Sequence, residues 1–183
     1  MANVDNIATG KYGIVELTHV AGVKTGEHNI QYSLNATDFA TTPCENGFLL
    51  VENHAAKTLD LASAVTERVG LVACVEKMYD QSDMSLGNFR LNLNEYLPRI
   101  YTLKVNDKFI TNNFKYDDGT YANYAAIVAA AVAGTPVYAY TSTTGQISVV
   151  DAQDATAVIE LRVVAGATLA GGESALKFVV VKA

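Results

Sequence analysis

Residues 97–119, LPRIYTLKVNDKFITNNFKYDDG, decide the fold. Within them Tyr101, Leu103 and Val105 alternate with Thr102 and Lys104, and Phe109 and Thr111 alternate with Lys108 and Ile110. Successive side chains on a strand point to opposite faces, so a period of two marks half-buried strands. Asn106-Asp107 interrupts the run; both residue types tolerate positive φ, and a tight reversal there makes the segment a central hairpin. Pro98 stands at the start, where a missing N–H costs a ladder least. Strands on either side are expected to pack against this hairpin in a small barrel or sandwich.

Toward the C-terminus comes the one convincing helix. Tyr121, Tyr124, Ala125, Val128 and Val132 recur at three- and four-residue spacing, which makes an apolar stripe near residues 120–133. Asp117 and Asp118 precede it as caps, and Gly134 and Pro136 stop it. TPVYAYTST and GQISVV then read as two strands turning at Thr144-Gly145. Val158–Val164 alternates Ile159, Leu161 and Val163 against Glu160 and Arg162, and SALKFVVVKA closes the chain as a hairpin strand after Gly171-Gly172.

Toward the N-terminus, GLVACVEKMY within 69–79 is apolar and β-branched enough for a well-buried strand. GFLLVEN and ENHAAKTLDL form a hairpin reversing near His54–Lys57. Asn29–Leu34 alternates cleanly, and Tyr12–Leu17 is a further strand ended near Gly22. Residues 1–10 are polar and irregular and read as an extended arm. The turn-rich DQSDMSLGN separates an N-terminal β region (11–80) from a C-terminal barrel-like region with the helix (81–183), unless 11–183 is one continuous domain. The expectation is thus an all-β protein, mainly barrel or sandwich, with about ten strands and one short helix.

Composition limits function. At 183 residues the chain buries roughly 70% of its unfolded surface and needs no staple of metal or disulfide. A net charge of −6 supplies no basic surplus to displace phosphate counterions, which argues against nucleic acid. Lys104, Lys108 and Lys115, diluted by acidic neighbours, read as a solvated strand face. No basic segment precedes an apolar core at the start, and Ala122–Gly134 is too short for a bilayer, so a soluble product of the cytoplasm is expected. Cys74, inside LVACV, reads as a small buried hydrophobe. Cys44 follows Pro43 in a loop open to solvent; free thiols in a reducing compartment are expected of both.

No catalytic constellation appears in the sequence. His19, His28 and His54 lie in or beside turns, outside any nucleophile elbow or zinc-binding helix motif. Asp80/Asp83 only loosely resemble a calcium loop, and Asp151/Asp154 belong to a polar turn. No phosphate-cradling glycine motif occurs. Ten tyrosines and no tryptophan leave three readings: rings on buried faces with hydroxyls at the rim, an exposed platform for sugar or single-stranded nucleic acid (Tyr138 and Tyr140 for sugar), or a protein–protein interface. No cofactor and no enzyme activity are expected.

Four segments carry a resemblance: GLVACVEKMYD (70–80), NEYLPRIYTLKVNDKFITNNFKYDD (94–118), GTPVYAYTSTTGQISVV (134–150) and LAGGESALKFVVV (169–181). Together they resemble capsid decoration (cement) proteins of tailed bacteriophages. In that family an EK-x-Y/M-x-D strand end leads to a PR-x-x-x-L-x-V-x-D-x-F-x-T-N strand pair, and a G/D-G-x-x-A-x-K-F-x-V hairpin closes the chain. Here Gly171-Gly172-Glu173 stands where a Gly/Asp-Gly turn is usual. The likeness covers roughly residues 65–183 and its motifs are structural. It implies a virion protein on the capsid surface whose partners are the major capsid protein and neighbouring copies of itself, with neither nucleic acid nor membrane bound. Val4, Ile7, Lys11 and Tyr12 in the arm are the candidate contact residues. A tail-tube or head–neck protein, or a surface- or carbohydrate-binding β module, is the alternative.

Overall fold

A computed structural model of the chain describes residues 12–74, 90–95, 97–116, 120–169 and 172–183. In chain order these form β1 (Val15–His19), α1 (Ala21–Thr25), β2 (His28–Asn29), β3 (Ser33–Leu34), β4 (Leu49–Asn53), β5 (Thr58–Leu61), β6 (Val69–Val72) and β7 (Ile100–Thr102). There follow β8 (Lys108–Thr111), β9 (Phe114–Tyr116), α2 (Tyr124–Val132), β10 (Tyr138–Thr141), β11 (Ile147–Val150), β12 (Glu160–Thr168) and β13 (Ser174–Lys182). One sheet of seven strands runs β1-β8-β13-β12-β10-β11-β9, and another of six runs β2-β7-β6-β4-β5-β3. The protein is all-β with one substantial helix. Neither sheet closes on itself, so the arrangement is a sandwich and not a barrel.

The central segment does not form a hairpin. β7 pairs with β6 and β2 in the six-stranded sheet, while β8 pairs with β1 and β13 in the seven-stranded one. The reversal at Asn106 is real, with φ of +75°, but it carries the chain from one sheet to the other. The buried Asp107 carboxylate holds this corner, accepting from Lys104 N–H and Ala21 N–H at 2.8 Å each. Both halves of the segment are strands. Their pairing is set by partners far along the chain.

Adjacent residues of the six-stranded sheet feed two different cores. Leu49, Leu71 and Tyr101 point between the sheets, toward Phe109, Phe178, Leu161 and Ile147. Leu50, Val72 and Ile100 point the other way, into a cluster with Phe39, Cys44, Phe48 and Leu91. Strands covered on both faces must be apolar at every position, which is why VGLV and FLLV show no alternation. In the seven-stranded sheet only one face enters the main core: Phe109 and Phe178 stack there with ring centroids 5.6 Å apart. Burying each such ring contributes roughly 1.5–3 kcal/mol.

Other local expectations need correction. Asn29–Leu34 forms no continuous strand; it breaks into β2 and β3 around an exposed Ile30. α1 is a short helix where a strand end was expected. α2 is capped by Asn123, whose Oδ1 accepts from Ala126 N–H at 2.9 Å; Asp117 and Asp118 lie outside the described residues. Gly134, with φ of +79°, and the Thr135 N–H to Ala130 carbonyl bond at 3.0 Å end the helix in a Schellman turn, in keeping with the stop read at Gly134. Its core side chain is Ile127; Val132 and Ala125, counted in the stripe, are exposed. Cys44 is wholly buried and, like Cys74, a free thiol. The turn at Gly145 and the β12–β13 hairpin stand as read. The DQSDMSLGN connector lies outside the described residues.

Candidate interaction surface

Of the four arm residues, Tyr12 is within the described chain; Val4, Ile7 and Lys11 are outside it. Tyr12 is half-buried. Its hydroxyl accepts from Arg90 Nη1 at 2.7 Å, and the same guanidinium lies 5.2 Å from its ring centroid. The next two residues are held by side chains distant in sequence. Glu45 Oε2 accepts from Gly13 N–H at 2.7 Å and from Asn113 Nδ2 at 3.3 Å. Asn112 Oδ1 accepts from Ile14 N–H at 2.6 Å, and Thr111 Oγ1 donates to the Ile14 carbonyl at 2.6 Å.

This clamp continues inward. Asn113 Nδ2 donates to the Asn46 carbonyl at 2.9 Å. Asn46 in turn accepts from Cys74 N–H at 2.7 Å and donates to the Cys74 carbonyl at 3.1 Å, as a strand neighbour would. On the other side Asn112 Nδ2 donates to Glu173 Oε2 at 2.8 Å. Asn46, Asn112, Asn113 and Glu173 are all buried, where polar groups are tolerated only when paired. Burial raises the Glu45 carboxyl above its ordinary range, against the lowering effect of the Gly13 hydrogen bond. None of these five residues reads as a site from the sequence: Glu45, Asn46 and Glu173 stand there only as turn residues. The available signal was the placing of ENG and TNN beside apolar strand ends, where an amide can donate and accept at once.

The histidines stay apart from this clamp and are exposed. His54 Nδ1 shares a 2.7 Å hydrogen bond with Tyr32, and the His28 ring sits 5.4 Å from that of Tyr101. Among the described residues no group of three or more His, Cys, Asp or Glu side chains could hold a metal ion. Asp80 and Asp83 lie outside those residues.

Two grooves have several of their polar groups engaged, though the buried Thr141 Oγ1 lining the second makes no hydrogen bond. One, about 590 Å³, is lined by Glu52, His54, Glu67, Arg68 and Thr102; Glu52 accepts from Asn29, and Glu67 from the backbone of Ser63 and Ala64. The other, about 530 Å³, includes Tyr140, Ser148, Gln153 and Asp154. There Asp154 caps Thr156, whose two hydrogen bonds hold its carboxyl below the usual range, and Gln153 donates to Glu160. Tyr140 is buried, its hydroxyl accepting from Asp154 N–H at 2.6 Å, and Tyr138 is covered by Arg162 at 4.5 Å. Tyr140 is therefore not exposed, and Tyr138 is half-exposed beneath the Arg162 guanidinium.

No family model, curated protein or solved structure matches this chain. No helix among the described residues is long and apolar enough to cross a membrane.

Proposed function

We propose that the chain is a structural virion protein that binds the outer surface of a tailed-phage capsid and stabilises the head lattice. Its partners in this reading are the major capsid protein and neighbouring copies of the chain. The reading starts from the resemblance over residues 65–183. The observation that carries it further is the clamp on Gly13 and Ile14, which gives the N-terminal segment a fixed root on the folded body. A segment rooted in buried hydrogen bonds can transmit a pull from a neighbouring subunit to the core. Contacts repeated over a lattice add by avidity, so each copy needs area more than a deep pocket.

The test is density for this chain on purified virions, followed by deletion of residues 1–10. The expected results are surface density on intact heads and reduced occupancy after the deletion. Unchanged occupancy removes the arm from the proposal, and heads without any such density overturn the whole of it.

A further inference from the structure

Two adjacent positions just before β4 are each fixed by the fold. Position 46 needs a side chain that donates and accepts at once: Asn46 Oδ1 accepts from Cys74 N–H at 2.7 Å, while its Nδ2 donates to the Cys74 carbonyl at 3.1 Å. Position 47 needs glycine. Its φ is +88°, and a Cβ there would stand 2.5 Å from Thr111 Oγ1 and 3.0 Å from Asn113 Cβ. The outcome is Asn46-Gly47, the one Asn-Gly pair in the sequence.

Such a pair is chemically labile. A glycine nitrogen has no side chain beside it to hinder attack. Once its proton passes to hydroxide, Gly47 N can attack Asn46 Cγ. The new N–Cγ bond closes a succinimide ring, the Cγ–Nδ2 bond breaks, and ammonia leaves with a proton taken from water, which restores the hydroxide. Water then opens the ring to aspartate or isoaspartate.

In the folded protein the reacting atoms are held apart from this chemistry. Gly47 N–H donates to the Val72 carbonyl at 2.9 Å, the Asn46 amide is tied to Cys74 at both ends, and Asn46 is only 4% exposed. We infer that Asn46 is a spontaneous deamidation site that the fold both requires and protects, reactive only when the start of β4 parts from the end of β6. The product does not fit the place it left. Ionised aspartate accepts but does not donate, so the Cys74 carbonyl would face a buried carboxylate. Isoaspartate adds a carbon to the backbone and displaces the Asn46 carbonyl, which Asn113 Nδ2 now reaches at 2.9 Å. An opening long enough for reaction thus removes the inner half of the clamp on Gly13 irreversibly.

The experiment is peptide mass spectrometry after parallel incubation of wild type in mildly alkaline buffer with and without guanidinium chloride. Asn46 is expected to convert about a hundredfold or more faster in denaturant, because the native reaction waits on the open population. Asn29, followed by the branched Ile30, is expected to stay intact in both. Equal rates in the two buffers overturn the protection, an intact Asn46 in denaturant overturns the site, and Asn29 converting as fast as Asn46 overturns the role of Gly47. N46D is expected to raise the unfolded fraction about tenfold or more at a given denaturant concentration. N46D as stable as wild type overturns the irreversible loss. Should N46D not fold, wild type partly deamidated in denaturant and returned to native buffer carries the test. Its unmodified fraction is expected to bury Cys44 and Cys74 again and its modified fraction to leave them open to a thiol reagent; equal burial overturns the loss.

Discussion

A Cβ on Gly13 would stand 2.3 Å from Asn113 Nδ2 and 2.6 Å from the Asn46 carbonyl oxygen. The close approach follows from the clamp: Gly13 must pass near enough for its N–H to reach Glu45 while Asn113 bridges to Asn46 behind it. Gly13→Ala should therefore destabilise the fold by about 1–3 kcal/mol through overpacking against a backbone atom that cannot swing away. Urea denaturation measures this, and an unchanged midpoint would contradict the clamp.

Glu45 offers a pH test with a definite sign. Burial raises its folded carboxyl above the ordinary 4.5, so the folded state binds the proton more tightly than the unfolded one. Its contribution is most favourable below the ordinary value and is lost as pH rises through the raised one. Glu45→Gln, which keeps an acceptor for Gly13 and removes the charge, should remove this dependence and gain stability relative to wild type toward neutral pH. Asp60 works the other way: burial pushes its carboxyl up, but hydrogen bonds from Asn53, Thr58 and Asn35 outweigh it and lower the value. Asp60→Asn should cost stability at neutral pH and narrow that deficit as acid protonates the wild-type carboxyl. Melting curves across the acid range read both.

The seat of α2 depends on Gly166, where a Cβ would meet Tyr124 Oη at 2.7 Å and Val128 Cγ2 at 2.8 Å. The tyrosine is not free to yield, since its hydroxyl donates to the Ala175 carbonyl at 2.9 Å. Gly166→Ala should cost about 1–3 kcal/mol. Tyr124→Phe should cost about 1 kcal/mol on its own. Thermal melts of the two single variants and the double variant test the coupling, and strictly additive losses would argue against direct contact.

Cys44 and Cys74 should be silent in the native protein. Both are buried, and burial, then the nearby Cys74 and Glu45, hold the Cys44 thiol well above its ordinary range. A thiol held protonated and away from solvent reacts only when the structure opens. An aromatic disulfide reagent should modify neither cysteine in native buffer and both in denaturant. Immediate labelling of one thiol in the folded protein would place it at the surface.

Local pattern carried much of this fold. Alternation in the closing hairpin, the turn at Thr144-Gly145, the stop at Gly134 and the burial of Cys74 are all legible because each depends on neighbours a few positions away. The runs FLLV and VGLV are legible as strands, and the reason they lack alternation is visible once each is seen between two cores. The cap is expected at Asp117-Asp118 because aspartate shares capping chemistry with asparagine; the helix begins at Tyr124, which makes Asn123 the cap.

By itself the order of residues determined that strands dominate, that a single alanine-rich helix interrupts them, and that Asn106 is a point of reversal. It left open which strands meet. Tertiary structure alone sent β7 and β8 into different sheets, buried Cys44, and gathered Glu45, Asn46, Asn112, Asn113 and Glu173 around Gly13. The physical reason is range: a period of two fixes which way side chains alternate, whereas hydrogen bonds between residues 32 to 98 positions apart form only once the sheets have packed.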